Sequence, residues 1–289
     1  MKMEVINLFD PWKSKLCSCP IKYSFSPYTG CSHNCLYCYA SSYIPNFFIC
    51  RPKKDIVKRL MHDIKKIDRK IYISIANSSD PYPPLEKELK LTRECLKILI
   101  NNRFKILLIT KSDIVKRDID ILSKAKVCVS FSITTLDENK AKKLEPNAPL
   151  PKERLNAIQK LIENNIPVSI RLDPIIPLIN DDEIENLIKE ISGIGVKHVT
   201  SSTYKARADN WKRMSAIFPE EMKKLEKLYF KDGERISNSY YLPKEVRYNL
   251  MKKVRNTCDK LCITFASCRE GFYELNTSKS CDGSHLIKT

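Results

Sequence analysis

Short apolar or alternating runs, each trailed by a helical pattern, recur along this chain and leave few folds open to it. IYISIA (71–76), KILLIT (105–110), VCVSFSIT (127–134), VSIRLD (168–173) and HVTSST (198–203) read as strands, with KYSFS (22–26) as an earlier sixth. Between them, Ile184, Leu187, Ile188, Ile191 and Ile194 keep helical spacing behind the acidic opening Asp181-Asp182-Glu183, and Gly193 and Gly195 close that helix. Leu155, Ile158, Leu161 and Ile162 mark a second helix, and Ile56, Val57, Leu60, Met61 and Ile64 a third. Strands alternating with helices predict βαβ units and a parallel sheet. Six units fall short of a closed (β/α)8 barrel. The expected fold is therefore α/β, a partial (β/α)6 TIM-like barrel.

The alternation assigns faces. In 127–134, Val127, Val129, Phe131 and Ile133 point at helices, leaving Cys128, Ser130, Ser132 and Thr134 inside. In 168–173, Ser169, Arg171 and Asp173 point inward. Small polar groups with an Arg and an Asp predict a wet, ligand-sized lumen, unless Arg171 and Asp173 satisfy each other. HVTSST shows no apolar face, so its orientation stays open.

The chain has 289 residues, with 51 Lys+Arg against 34 Asp+Glu and a formal net charge of +17. Its 43% apolar content excludes a disordered chain. No apolar stretch approaches the roughly 20 residues of a membrane span, and MKMEVINLFDPWKSKL lacks the apolar core of a secretion signal. A soluble cytoplasmic protein with no membrane partner is expected. Excess positive charge favours polyanions, nucleic acid first, though Lys-rich, Gly-poor composition also suits proteins from hot environments. Three segments are expected: 1–21, the barrel 22–204, and a basic, cysteine-rich C-terminal extension 205–289. That extension counts 18 Lys+Arg, 11 Asp+Glu and ten aromatics.

Twelve cysteines without an export signal point to metal rather than disulfides. SPYTGCSHNCLYCYA sets Cys31, Cys35 and Cys38 at C-x3-C-x2-C spacing, just after the first expected strand and so at the catalytic mouth of a barrel. Three thiolates on one loop hold three corners of a cubane [4Fe–4S] cluster and leave the fourth iron open. The competing reading is zinc completed by His33 or a distant residue.

The motif resembles that of radical S-adenosylmethionine (radical SAM) enzymes, and the chain from Lys22 to His198 resembles their spore photoproduct lyase-like branch. The resemblance rests on YTGCSHNCLYCYA, NSSDPYPPLE, LTRECLKIL, ITKSDIVKRDIDIL, SFSITTLDENKAKKLEPNAPLPKERLNAI and IPVSIRLDPIIPLINDDEIE. It implies that the open iron chelates S-adenosyl-L-methionine and that the reduced cluster cleaves it to a 5′-deoxyadenosyl radical, which takes hydrogen from a substrate. A reducing partner such as ferredoxin or flavodoxin is implied with it. By the same resemblance Cys31, Cys35 and Cys38 ligate the cluster, and Tyr37 and Tyr39 pack beside it and the adenine. Lys111 in ITKS and Ser132 in SFSIT hold the methionine carboxylate, as charge-assisted hydrogen bonding would ask. Ser79 and Asp80 belong to a loop that reaches S-adenosylmethionine, and Arg171 is a further candidate on the inward face. The lyase places a hydrogen-donating cysteine near that loop. Here IANSSDPY offers Asn77 instead, which argues against thymine-dimer reversal.

Cys258, Cys262, Cys268 and Cys281 are expected to bind a second iron–sulfur cluster, with zinc or free thiols as rivals and Cys17 and Cys19 as substitute ligands. Cys50 has no assignment; Cys95 and Cys128 fit ordinary burial. Arg207, Trp211, Lys212, Arg213, Tyr240, Tyr241, Arg247 and Tyr248 offer charge and rings for a nucleic-acid backbone and its bases, or a solvated helical face over a core. The preferred expectation is a radical SAM enzyme, of lyase or transferase type, modifying or repairing nucleic acid. The rivals are a radical SAM enzyme using a second cluster on a peptide or small molecule, and a non-catalytic zinc protein that binds nucleic acid.

Overall fold

A computed structural model describes residues 3–9, 16–76 and 78–288. Its strands are β1 (Asn7–Leu8), β2 (Tyr23–Phe25), β3 (Tyr28–Thr29), β4 (Arg51–Pro52), β5 (Ile73–Ile75), β6 (Ile106–Thr110), β7 (Val127–Ser132), β8 (Val168–Ile175), β9 (His198–Thr203), β10 (Glu234–Ile236), β11 (Ser239–Tyr241) and β12 (Thr264–Ser267). Eight of them form one sheet in the order β1-β2-β5-β6-β7-β8-β9-β12. From β2 to β12 every pairing is parallel; only β1 runs antiparallel, against β2. This is the open partial barrel, with all six expected strands in place.

The seventh parallel strand, β12, arises from the tail. Thr264 pairs with His198 and Ser267 with Ser201, so part of the segment after 205 returns to extend the sheet. Helices Ile56–Asp63, Pro151–Glu163 and Ile184–Ile194 cover the outer face where their apolar spacing places them. Val127, Val129, Phe131, Val168, Ile170 and Val199 are all buried in the main core with Leu187, Ile188 and Ile191. Burying such side chains is worth about 1.5–3 kcal/mol each, which makes this face the source of the sheet's cohesion.

The inner face is divided. At the N-terminal ends of the strands the tail comes back as a floor: Leu286 and Ile287 pack on Tyr72, Leu107 and Cys128. Thr200 Oγ1 donates to the Cys281 carbonyl at 2.8 Å, which settles that Thr200 faces the lumen. Gly283, at φ +84°, lies so close to β8 that a Cβ there would sit 2.6 Å from Ser169 Oγ. The expected open lumen is thus corrected for its lower half, which residues 281–287 close by apolar packing together with the buried Lys22–Asp282 ion pair. The upper half, at the C-terminal strand ends, stays open.

The tail's rings also turn inward. Trp211 packs edge-on to Phe230 at 4.6 Å and Phe230 to Tyr240 at 4.9 Å, while Tyr248 packs on Phe272. Arg247 is 2% exposed and bonds the Leu242 carbonyl, Glu270 and Glu234. Tyr241 is buried too. These side chains assemble the extension, and of the basic residues named above Lys212 is the one that is exposed. Among the described residues no helix is long and apolar enough to cross a membrane.

Candidate active site

A cavity of about 280 Å³ opens at the C-terminal ends of the strands, and Cys31, Cys35 and Cys38 line it together. Their loop follows β3 and is pinned from several directions. Gly30 starts it at φ +78°, where a Cβ would lie 2.4 Å from the Ile49 carbonyl oxygen, so only glycine fits. The Cys31 amide donates to the Phe47 carbonyl at 2.6 Å, and the Leu36 amide to Leu144 at 2.9 Å. Helix Ala208–Ile217 braces the other side. Arg213 donates to the Leu36 carbonyl at 3.1 Å and the Cys38 carbonyl at 2.9 Å, and Asn210 donates to the Tyr37 carbonyl at 3.0 Å. Sequence reasoning missed this brace, since only the charge of Arg213 was visible.

Burial pushes the Cys31 thiol up to about 12 and the Cys35 thiol well above its ordinary value. Cys38 is raised as well, chiefly by burial. Buried thiols of this kind ionise when a metal supplies the countercharge. The Cys38 amide donates to the Cys35 carbonyl at 3.2 Å, which tightens the turn that carries them. Three sulfurs on a fixed loop beside an open cavity fit a cubane cluster with one unclaimed iron.

The candidate cofactor residues gather here. Ser79, Asp80, Lys111, Ser132, Arg171, Tyr37 and Tyr39 all line the cavity. Asp80, however, is occupied: it accepts from Thr110 Oγ1 at 2.8 Å, the Lys111 amide at 2.7 Å and the Tyr82 amide at 2.9 Å. Burial would raise its pKa, but His33 at 3.3 Å and these amides hold the carboxyl below its ordinary range. Its work is to fix the Ser79 loop to the end of β6.

Tyr37 is likewise anchored. Its hydroxyl donates to Glu145, which is fully buried, bonded by Arg154 and by Thr134 Oγ1 at 2.8 Å, and faced by Lys111 Nζ at 3.7 Å. Burial works to raise the Glu145 pKa, but Arg154 and Lys111 bring it to about 2. Arg154 also donates to the Ser132 carbonyl at 3.0 Å, so one ion network orients Tyr37, Lys111 and the end of β7. Glu145 and Arg154 were passed over in sequence because nothing local links them to Cys35. Arg171 does pair with Asp173, at 2.8 Å, and also reaches Cys268 Sγ at 3.6 Å.

Cations dominate the remaining wall. Lys205 and Arg269 line it, and the Arg269 and Arg207 guanidinium carbons lie 5.3 and 5.6 Å from the Tyr39 ring centre. Arg269 holds a left-handed φ of +58°, and its Nε is a buried donor without a partner among the described residues. Asn77 lies outside the described residues.

The tail cysteines do not meet as the expected set. Cys258 is fully buried in the core on helix Lys244–Lys260 and Cys262 is exposed, so this pair is separated from the other two. Cys268 instead joins the cavity wall beside Cys17 and Cys19, and Cys281 Sγ lies 3.6 Å from Cys19 Sγ. Cys50 is half-buried, and burial and Asp80 push it up to about 11.

The family model for the Radical SAM superfamily matches residues 25–191. An uncharacterised protein of Methanocaldococcus jannaschii is 36% identical over 173 residues, 56% of this chain and 63% of that one, so the match spans less than two thirds of the relative's length. A protein of Pseudomonas phage M6 described as a radical SAM Nalpha-GlyT isomerase is 22% identical over 257 residues, 84% of this chain and 53% of its own. Among solved structures, spore photoproduct lyase with bound AdoMet and dinucleoside spore photoproduct superposes with a TM-score of 0.69 at 16% identity, covering 92% of this chain and 79% of that one.

Proposed function

This chain belongs to the radical SAM superfamily, and on that premise we propose that it generates a 5′-deoxyadenosyl radical and spends it on a base or sugar of nucleic acid. A [4Fe–4S] cluster with S-adenosylmethionine on its open iron supplies the one-electron chemistry when bound. Cys31, Cys35 and Cys38 would hold that cluster, and the braced backbone around them keeps the three sulfurs aimed into the cavity. Lys111 and Ser132 would take the methionine carboxylate by charge-assisted hydrogen bonds, with Glu145 and Arg154 positioning both. Ser79, on the loop that Asp80 shapes, would face the nucleoside, and Tyr39 would give it a ring to rest on. Arg171 is held by Asp173 at 2.8 Å and would close the opposite wall.

The observation that carries the substrate class is Arg269. A buried guanidinium nitrogen without a protein acceptor, in a wall shared with Lys205, suits a phosphate. Support also comes from the dinucleoside in the similar lyase structure. The test is anaerobic turnover with deuterated oligonucleotides, following the label into 5′-deoxyadenosine. Transfer from DNA or RNA, with retention that weakens steeply with salt, is expected. Label arriving only from a peptide or a small metabolite overturns the substrate class.

A further inference from the structure

Cys17, Cys19, Cys268 and Cys281 take no part in the function proposed above, yet the fold brings them together from opposite ends of the chain. Cys281 Sγ donates to Cys19 Sγ at 3.6 Å. Cys17 and Cys268 line the same cavity as Cys19. Two cations are aimed at the same sulfurs: Lys22 Nζ lies 3.6 Å from Cys19 Sγ, and Arg171 Nη2 lies 3.6 Å from Cys268 Sγ. Each also pairs with a carboxylate, Lys22 with Asp282 and Arg171 with Asp173. Cationic N–H donors on sulfur are the outer partners that thiolate ligands call for.

One spacing bears on the metal. Tetrahedral coordination with metal–sulfur bonds of about 2.3 Å sets any two sulfurs about 3.8 Å apart. A cubane gives each thiolate its own iron and keeps the sulfurs out of contact. The 3.6 Å between Cys19 and Cys281 fits the first arrangement. A disulfide between Cys19 and Cys281 would leave Cys17 and Cys268 out and both cations facing neutral sulfur.

We infer that Cys17, Cys19, Cys268 and Cys281 coordinate a single tetrahedral divalent ion of the zinc class. Among the described residues no three donors are already gathered round one point as a metal-bound set would be. The ion completes their convergence, as where binding and local ordering are one event. Cys19 leads into β2, the first of the parallel strands and neighbour of the edge strand β1, and Cys268 follows β12, the opposite edge. The ion would therefore clip the barrel across its unpaired seam, where Gly271 already lies so near residue 16 that a Cβ would come within 2.8 Å of Leu16 Cδ2.

Metal analysis of the full chain, purified anaerobically and loaded with iron and sulfide, tests this in wild type, Cys19→Ser, Cys281→Ser and Cys262→Ser. About one zinc per chain is expected in wild type and Cys262→Ser, falling at least about tenfold in the other two while iron on the first loop is retained. X-ray absorption at the zinc edge of the wild type, which depends on no variant folding, should show four sulfur neighbours at about 2.3 Å. Absence of zinc, nitrogen or oxygen neighbours around it, a second set of iron and sulfide lost with Cys19→Ser, or a disulfide between residues 19 and 281 in protein kept from air each overturns the inference.

Discussion

Two groups of thiols meet at one cavity, six of them lining it and Cys281 touching Cys19, and the chain reaches them in opposite ways. Cys31, Cys35 and Cys38 come from a single loop of eight residues and are held by backbone hydrogen bonds. Cys17, Cys19, Cys268 and Cys281 come from segments some 250 residues apart, and two of their sulfurs are in contact. A loop that carries its own ligands can present an incomplete coordination shell, which is what chemistry at a metal requires. Ligands drawn from distant segments do the reverse: they close the shell and spend the binding energy on holding the chain together.

The sharpest way to break this comparison is to delete one thiol from each group. Cys35→Ala should reduce cleavage of S-adenosylmethionine to 5′-deoxyadenosine by at least about 10³-fold, measured by product chromatography. Persistent turnover would remove the loop from the chemistry. Lys111→Ala should leave the visible spectrum of the cluster unchanged and weaken S-adenosylmethionine binding by about 10- to 100-fold in a titration, the worth of a hydrogen bond to a charged group. Cys19→Ser belongs to the other class and should lower the thermal unfolding midpoint by about 5–10 °C, since it releases a clip over a long loop.

Acid titration sharpens the comparison further, because the first group leans on Glu145. Its folded pKa of about 2 lies below the ordinary 4.5, so its contribution to stability is complete above pH 4.5 and is lost as pH falls toward 2. The wild-type unfolding midpoint should drop through that window, and a Glu145→Gln curve, already lower at neutral pH, should lack that component. The smallest effect belongs to Cys262→Ser. This exposed thiol lies outside both groups, so calorimetry should place the variant within about 0.5 kcal/mol of wild type.

Much of this was legible because it is local. Four of the six expected strands announce themselves by Ile, Val and Leu, the other two by their place in the strand–helix alternation, and the first loop by three cysteines within eight residues. The inward face of Ser132 follows from simple alternation, and the cavity bears it out. What escaped is what depends on partners far along the chain. β12 hides in ITFAS, four paired residues among polar neighbours, and becomes a strand only because β9 offers an edge. Cys258 and Cys262 look like ligands beside Cys268, but helix Lys244–Lys260 turns one into the core and leaves the other in solvent. Trp211 and Tyr240 read equally well as a stacking surface, and only the fold shows them packing with Phe230.

The floor of residues 281–287 has a consequence for how the molecule is made. A ribosome that has released β2 through β9 has produced a trough without a bottom, because Leu286 and Ile287 are still to be synthesised. Until they emerge and dock, solvent reaches Cys128 and Leu107 from below, so the lumen is sealed on that side only after residues 281–287 have been made.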